Sequence, residues 1–595
     1  MKRLLLLCAG LLLLCGCGAG AAQEDRILVC IEEIDGCTVE NNGQLVSPGE
    51  DVTFSLQLDY GFALNSVDYA GEYAAETQRR TVWLTLQNVT YPTRAVLGLT
   101  SSYCAITYEA NGGSPLQGAE MSVTKNYDLT THRRPNTEQG TRLFTRDGYT
   151  LLCWNTKPDG SGERIGLGSR VTVTGRALTL YAQWIPWSGA SEFTYETGAS
   201  VTITGFLRTD ALTDPIVIPG YIDGRPVTRI ASGAFNGCGA ESLILPDTLL
   251  CIEESAFRNC AFREVTLFDN LNEFDGGGFY GCDALQSLHI NAVEPPYGNL
   301  YRKESCYADK VDLMILAQGK RKLIFYGGCS TWYNLDGLQA LKAVGDEYSV
   351  INMGLNGTID SSVQMQIIGA YLEAGDIFFH TPELSSRQQM MIVQDMTENG
   401  DILWCGLERN YDLFSLVDLR LVNGAMDSLR SYLDKKDRQG SYQQDYTDSQ
   451  GYTYTDPLGC ISFYRSSTAG ELADTVSLDP AKINEEAMGR LEGYYDWYQS
   501  LGVRIYLSYA CVNMDAVPED QRGNTALMDG LFRSAIEEME GPALVSRLED
   551  YLYQSENFYD TNYHLKTEPA KENTARWLRD LLTQMERDGL WEAAS

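Results

Sequence analysis

Two short stretches carry residue types whose spacing could perform chemistry. Leu323 to Gly337 reads LIFYGGCSTWYNLDG, an apolar run that meets two glycines, a Cys-Ser pair and then a helix start. A side chain on such a strand-to-helix turn stands at the edge of a sheet, with the N–H groups of the helix start close by for an oxyanion. Glycine is needed there because the turn leaves no room for a Cβ. Far downstream, FYDTNYHL places Asp560 four residues before His564, one of only 4 histidines in the chain. A nucleophile, a base and an acid to orient the base are the parts of acyl transfer through a covalent intermediate. Cys329 and Ser330 are both candidates for the nucleophile, with His564 as base and Asp560 as acid.

These stretches resemble the first and last blocks of the SGNH (GDSL-type) hydrolases, and the resemblance runs from Tyr297 to Ser595. VINMGLNGT (Val350 to Thr358) is similar to the second block and sets Gly357 where that family uses a glycine N–H for the oxyanion. DIFFHTPE (Asp376 to Glu383) stands for the third block, with Glu383 where the family usually has an Asn donor. The resemblance implies an esterase or acyltransferase acting on an acylated cell-envelope or host glycan. Gly357 and Gly328 would serve the oxyanion, and Trp332, Asn356 and Glu383 the substrate. Aligning the strand without a gap puts Cys329 in the serine's place, whereas reading Gly328-Cys329-Ser330 as Gly-x-Ser puts Ser330 there. Ester chemistry favours Ser330. The family's acid precedes its histidine by three residues, so Asp560 implies a loop longer by one. A carboxylate at 383 accepts and cannot donate, which opposes a developing oxyanion. The contrasting expectation is a non-catalytic adhesion protein that keeps this fold as a scaffold.

The elements that must position these residues follow from hydrophobic periodicity. Strands are expected at Leu323 to Tyr326, Ser349 to Met353, Ile377 to Phe379 and Val503 to Tyr509, alternating with helices at Ser361 to Ala374, Asn484 to Leu501 and Asn573 to Arg587. That alternation predicts a parallel sheet covered on both faces, a three-layer α/β domain whose ligand site lies at the carboxyl ends of the strands. Gly440 to Pro457 reads as a long excursion able to rim the site. His380 reads as a strand-end packing residue. His132 and His289 have no partners at metal spacing, and no cofactor or metal is expected.

Upstream the pattern is modular. Glu24 to Tyr103 alternates polar and apolar residues between turn signals, as in DVTFSLQL and TVWLTLQNV, and predicts a small all-β module of short antiparallel strands over 17–103. ITYEANGG, GYTLLCWNTKPDGSG and LTLYAQW, within 104–187, resemble the internalin-type B repeat, a β-grasp-like unit, which implies a spacer or adhesion role. AFNGC, AFRNC and GFYGC start at Ala234, Ala256 and Gly278, a fixed period of 22 residues. A period of that size predicts a solenoid, and the pattern resembles the leucine-rich repeats of bacterial surface proteins over 188–296, with Phe235, Phe257 and Phe279 stacked in its core. Cys238, Cys260 and Cys282 read as a core ladder, since no acid or histidine recurs with them.

Met1 to Gly16 is a basic start followed by a leucine-rich run too short to span a bilayer, which reads as a signal peptide. Its ending, Leu14-Cys15-Gly16-Cys17, resembles a bacterial lipobox, implying a lipid on Cys17 and an extracytoplasmic, membrane-anchored protein. The 595 residues are several domains' worth, and a formal charge of −34 excludes nucleic acid as an electrostatic partner. Setting aside Cys8, Cys15 and Cys17, the 16 cysteines leave an odd number without CxxC spacing, which predicts buried thiols. The repeats are expected to meet surface proteins or glycans.

Overall fold

The computed structural model describes residues 26–591 except 33, 35–36, 59–61, 79–80, 102, 117–119, 129–133, 174–176, 209–213, 294–305, 356–360, 385–403, 405–406, 408–409, 422–423, 436–475 and 560. The chain divides into two compact units, one of residues 1–105 and 126–132, the other of 106–125 and 133–595.

The first unit is built on two four-stranded sheets. One has the order Gln44–Val46, Ile27–Ile31, Thr93–Ser101, Phe62–Asp68, and the other Cys37–Val39, Glu50–Leu58, Thr81–Val89, Tyr73–Gln78. Alternation along the strands puts Val52, Phe54, Leu56, Val82, Leu84 and Val29 into one shared core. Most pairs are antiparallel, as the sequence pattern predicts. Ile27–Ile31 with Thr93–Ser101 is parallel, because these strands lie far apart in sequence and no hairpin joins them.

The strands Tyr103–Glu109, Ser122–Asp128, Tyr149–Asn155, Arg164–Ile165 and Ala177–Pro186 form one sheet. Trp154 fills its core, 4.8 Å from the Tyr108 ring, with its indole N–H given to the Glu138 carbonyl at 2.9 Å. The repeat region follows as two runs of short parallel strands. Arg229 pairs with Cys251 and Cys251 with Glu273, so the 22-residue period of the sequence becomes one step of the stack. The phenylalanines stack as expected, with centroids 5.1 Å apart for Phe235 and Phe257 and 4.8 Å for Phe257 and Phe279. The thiols follow the same ladder. Cys260 Sγ donates to the Phe235 carbonyl at 2.9 Å, and Cys282 Sγ to that of Phe257 at 3.0 Å.

The C-terminal region is α/β. The elements of its main sheet and the helices used below are α1 (Cys306–Leu316), β1 (Lys322–Gly327), α2 (Cys329–Asn334), α3 (Gly337–Val344), β2 (Ser349–Asn352), α4 (Ser361–Gly369), β3 (Ile377–Thr381), α5 (Glu485–Ser500), β4 (Arg504–Leu507), α6 (Thr525–Glu538), β5 (Ala543–Leu544) and α7 (Thr567–Arg587). The strands lie in the order β2-β1-β3-β4-β5 and all pair parallel. All four expected strands are present. The expected helix from Ser361 stops at Gly369, where an added Cβ would sit 2.3 Å from the Trp497 ring of α5. The expected last helix starts earlier, at Thr567, because Pro569 falls in the first turn, where a missing N–H costs nothing. Helices α1, α3 and α6 are additions to the helices named from periodicity. Gly440 to Pro457 lies outside the described residues.

The modules of the second unit share buried contacts. Asp312 on α1 receives Arg134 at 2.6 Å on Oδ1 and Arg170 at 2.5 Å on Oδ2, and all three side chains are nearly inaccessible. Gly166 N donates to Asp412 Oδ2 at 2.7 Å, and Leu419 N to the Gln286 carbonyl at 3.1 Å. One apolar cluster runs without a break from Phe193 in the repeats to Met585 in α7. The module at 104–187 thus packs against α1 through the buried Arg134–Asp312–Arg170 cluster.

Candidate active site at the switch point of the sheet

In a doubly wound sheet, the crevice forms where successive connections leave in opposite directions. Here that point lies between β1 and β3. Gly327 ends β1 with no space for a side chain, since a Cβ would sit 2.1 Å from Thr331 Oγ1 and 2.7 Å from the Thr381 carbonyl. Gly328 caps α2 with extended backbone, and its carbonyl accepts the Trp332 N–H at 3.0 Å. Thr331 and Thr381 hydroxyls meet across the gap, fixing the start of α2 to the end of β3.

Glu383, two residues past β3, reaches back to α2. Its Oε1 accepts the Ser330 N–H at 2.8 Å and the Ser330 hydroxyl at 2.6 Å, and the Cys329 thiol lies 3.7 Å away, within sulfur hydrogen-bond range. Ser330 is 0% exposed and Glu383 3%, whereas Cys329 is half-buried. The turn thus leaves Cys329 partly open, while the Ser330 side chain faces inward onto a carboxylate. Glu383 acts as an acceptor, as its chemistry requires.

His564 is brought to the same helix. Its ring centroid lies 3.9 Å from that of Tyr333, which stands four residues after Cys329 and so on the same face of α2. Asn334 holds the backbone on both sides of the histidine, donating from Nδ2 to the Tyr563 carbonyl at 2.8 Å and accepting the Leu565 N–H on Oδ1 at 2.8 Å. The loop folds back on itself, with Tyr559 N donating to the His564 carbonyl at 2.8 Å. Cys511 lies under it, 3.1 Å from Asn334 Nδ2, and burial, then the charge of Glu383, push its thiol well above the ordinary range. Tyr333, Asn334 and Cys511 were absent from the sequence-derived site. The signal available for the first two was the i+4 spacing from Cys329 and Ser330.

Trp332 differs from expectation. It is 1% exposed, with the Lys310 ammonium 5.0 Å from its ring, because the fourth residue of α2 packs in the core. His380 is a packing residue: Nδ1 meets the Tyr495 hydroxyl at 2.6 Å, and burial pushes the imidazole down to about 3. His289 sits 3.0 Å from Glu264 and 3.3 Å from Arg164. Asn356, Gly357, Asp560, His132 and Cys17 lie outside the described residues. Among the described residues, no helix is long and apolar enough to cross a membrane.

Comparison with known proteins places two repeat types in the chain. Residues 105–183 match the Listeria-Bacteroides repeat domain, and residues 225–302 match the BspA type leucine-rich repeat region in 6 copies. The AFNGC-type spacing marked only three units, since the other turns lack the Phe and Cys pair. A protein of Evansella cellulosilytica, described as a candidate membrane protein, is 44% identical over 48 residues, which is 8% of this chain and 7% of that protein's length. Among solved structures, the leucine-rich repeat protein of T. pallidum aligns with a TM-score of 0.17 at 22% identity, over 28% of this chain and 64% of that one. A Streptococcus pneumonia protein, described as a candidate platelet activating factor, aligns with a TM-score of 0.24 at 11% identity, over 49% of this chain and 94% of that one. The chain is similar to surface-type repeat proteins through these two modules.

Proposed function

We propose that this is a cell-surface repeat protein whose modules engage a protein or glycan, and whose C-terminal domain transfers or hydrolyses acyl groups on a glycan through Cys329 and His564. The observation that carries the reading is the convergence on α2. A half-buried thiol opens its first turn, and His564 stacks on the same helix face one turn later. The resemblance of 297–595 to SGNH hydrolases supports it, as does the position of the thiol at the switch point.

In this reading His564 takes the thiol proton while Cys329 Sγ attacks the ester carbonyl. The tetrahedral oxyanion collapses, the ester oxygen leaves with the proton from His564, and a thioester remains. Water or an acceptor hydroxyl then attacks the thioester, again giving its proton to His564, and restores the thiol. Asp560 would orient the imidazole, and Gly357 would donate to the oxyanion. Ser330 is the weaker nucleophile candidate, because its hydroxyl is fully buried whereas the Cys329 thiol is partly open. The site's residues need neither metal nor cofactor for these steps. An anchor on Cys17 would keep the domain at the outer face of the membrane.

The test is turnover of acetyl ester reporters by the full chain. Cys329→Ala and His564→Ala should each lower kcat by at least about 10³-fold, and iodoacetamide should inactivate the wild type. Wild-type protein inert toward a broad panel of acyl esters would end the acyl-transfer reading. One observation favours a second reading, a non-catalytic binding protein: Glu383 occupies both polar groups of Ser330.

A further inference from the structure

The Ser330–Glu383 contact is unusual for a crevice of this kind. In the α/β-hydrolase form of a strand-to-helix nucleophile turn, the N–H of the residue after the nucleophile is one donor to the oxyanion. If Cys329 attacks, that residue is Ser330. Its N–H is given to a carboxylate oxygen at 2.8 Å, and the same oxygen takes the Ser330 hydroxyl and lies 3.7 Å from the thiol. An oxyanion and a carboxylate oxygen ask for the same donor, and both are anionic, so they exclude one another.

We infer that Glu383 is an internal anion that restrains the Cys329 site, holding the Ser330 N–H in place of a substrate oxyanion and disfavouring the Cys329 thiolate. The oxyanion half of this rests on the proposed acyl transfer; the effect on the thiol does not. The geometry supports this directly, since one Glu383 oxygen takes both polar groups of Ser330 and lies within sulfur hydrogen-bond range of Cys329. The carboxylate is nearly inaccessible, so water does little to screen it. The plain alternative is that Glu383 only braces α2. A brace needs an acceptor oxygen and no charge.

Glu383→Gln separates the two, because the amide keeps an acceptor for Ser330, removes the charge and adds a donor. The first readout is the rate of iodoacetamide alkylation of Cys329 in the full chain at fixed pH, located by mass spectrometry. Restraint predicts a rise of about tenfold in the Gln variant. The second readout is ester turnover, which should rise at least about tenfold, since one oxyanion donor is typically worth 10²- to 10³-fold. An alkylation rate unchanged or lower in Glu383→Gln overturns the inference. Faster alkylation with no ester turnover by any variant keeps the restraint on the thiol and ends the acyl-transfer reading instead. Should Glu383→Gln fail to fold, Glu383→Asp serves: withdrawing the charge by one methylene should give a smaller rise, and a rate equal to wild type overturns the inference.

Discussion

In the solenoid, Cys260 and Cys282 give their S–H groups to the carbonyls of Phe235 and Phe257, one repeat back. At the end of β1, Cys329 lies half-buried beside a carboxylate, at the edge where a parallel sheet opens. The same residue type thus has two fates. Repetition closes the first environment, because each turn supplies both the phenylalanine that covers a thiol and the carbonyl that accepts from it. The neighbouring Cys282 sulfur, then burial, hold the Cys260 thiol far above the ordinary range and leave it inert, while the same neighbour draws Cys282 below that range. The second environment is built once, by α2, β3 and the His564 loop, and nothing in the repeat pattern closes it. Position in the architecture, more than residue type, decides how open a thiol is.

That contrast would lose its meaning if the two regions were separate bodies, so the sharpest test is their junction. Asp312 on α1 is buried between Arg134 and Arg170 of the module at 105–183. Removing Asp312 leaves two guanidinium groups uncompensated inside, which costs about 3–5 kcal/mol. Asp312→Ala should therefore lower stability by that order in denaturant titration. The solenoid and the α/β region should then unfold in one transition, since a single core joins them. A loss under about 1 kcal/mol, or two separate transitions, would show that the C-terminal region stands alone. A chain starting near Asn299 should fold poorly for the same reason.

How much of this was legible in the sequence varied between the regions for the same physical reason. The Phe ladder could be read because each contact recurs at one fixed spacing. The strand, the glycines and the Cys-Ser pair at the end of β1 could be read because a strand-to-helix turn is local. Glu383 was visible as a residue out of place, but its hold on Ser330 was not, since that contact joins positions more than fifty residues apart. Asn334 and Asp312 were invisible for the same reason: one polar residue in an apolar context shows no partner until the fold supplies it. Trp332 was misplaced because proximity in sequence to a turn does not say which way a helical side chain points.

A second test concerns the floor of the crevice, where His380 in β3 contrasts with His564 above it. His380 titrates at about 3 in the folded chain against 6.5 for the free side chain, because burial disfavours its charged form. Between those values the unfolded chain binds one more proton than the folded chain, so stability rises with pH across this window and is lost as pH falls. His380→Gln keeps an acceptor for the Tyr495 hydroxyl and removes the titration. Its stability, followed by thermal melts between pH 3 and pH 7, should fall less steeply toward acid than that of the wild type. Parallel curves would mean that the imidazole stays as accessible to protons as in the unfolded chain.

The smallest expected effect lies inside the solenoid and probes whether its thiols matter at all. Cys260→Ala removes one sulfur from a buried site and leaves the Phe235 carbonyl without its S–H donor. Lost packing and a lost weak hydrogen bond together should cost roughly 1–2 kcal/mol. Cys282→Ala should cost less, because Cys282 is only partly buried at the open end of the row, and water can replace its bond to the Phe257 carbonyl. Neither change should alter ester turnover or the alkylation of Cys329 per folded molecule, since both thiols lie in the repeats. Denaturant titration of the two variants gives the order directly. If Cys282→Ala proved the more harmful, the ladder would be stabilised at its end rather than along its length, and the closed environment of the repeats would owe more to its neighbours than to its period.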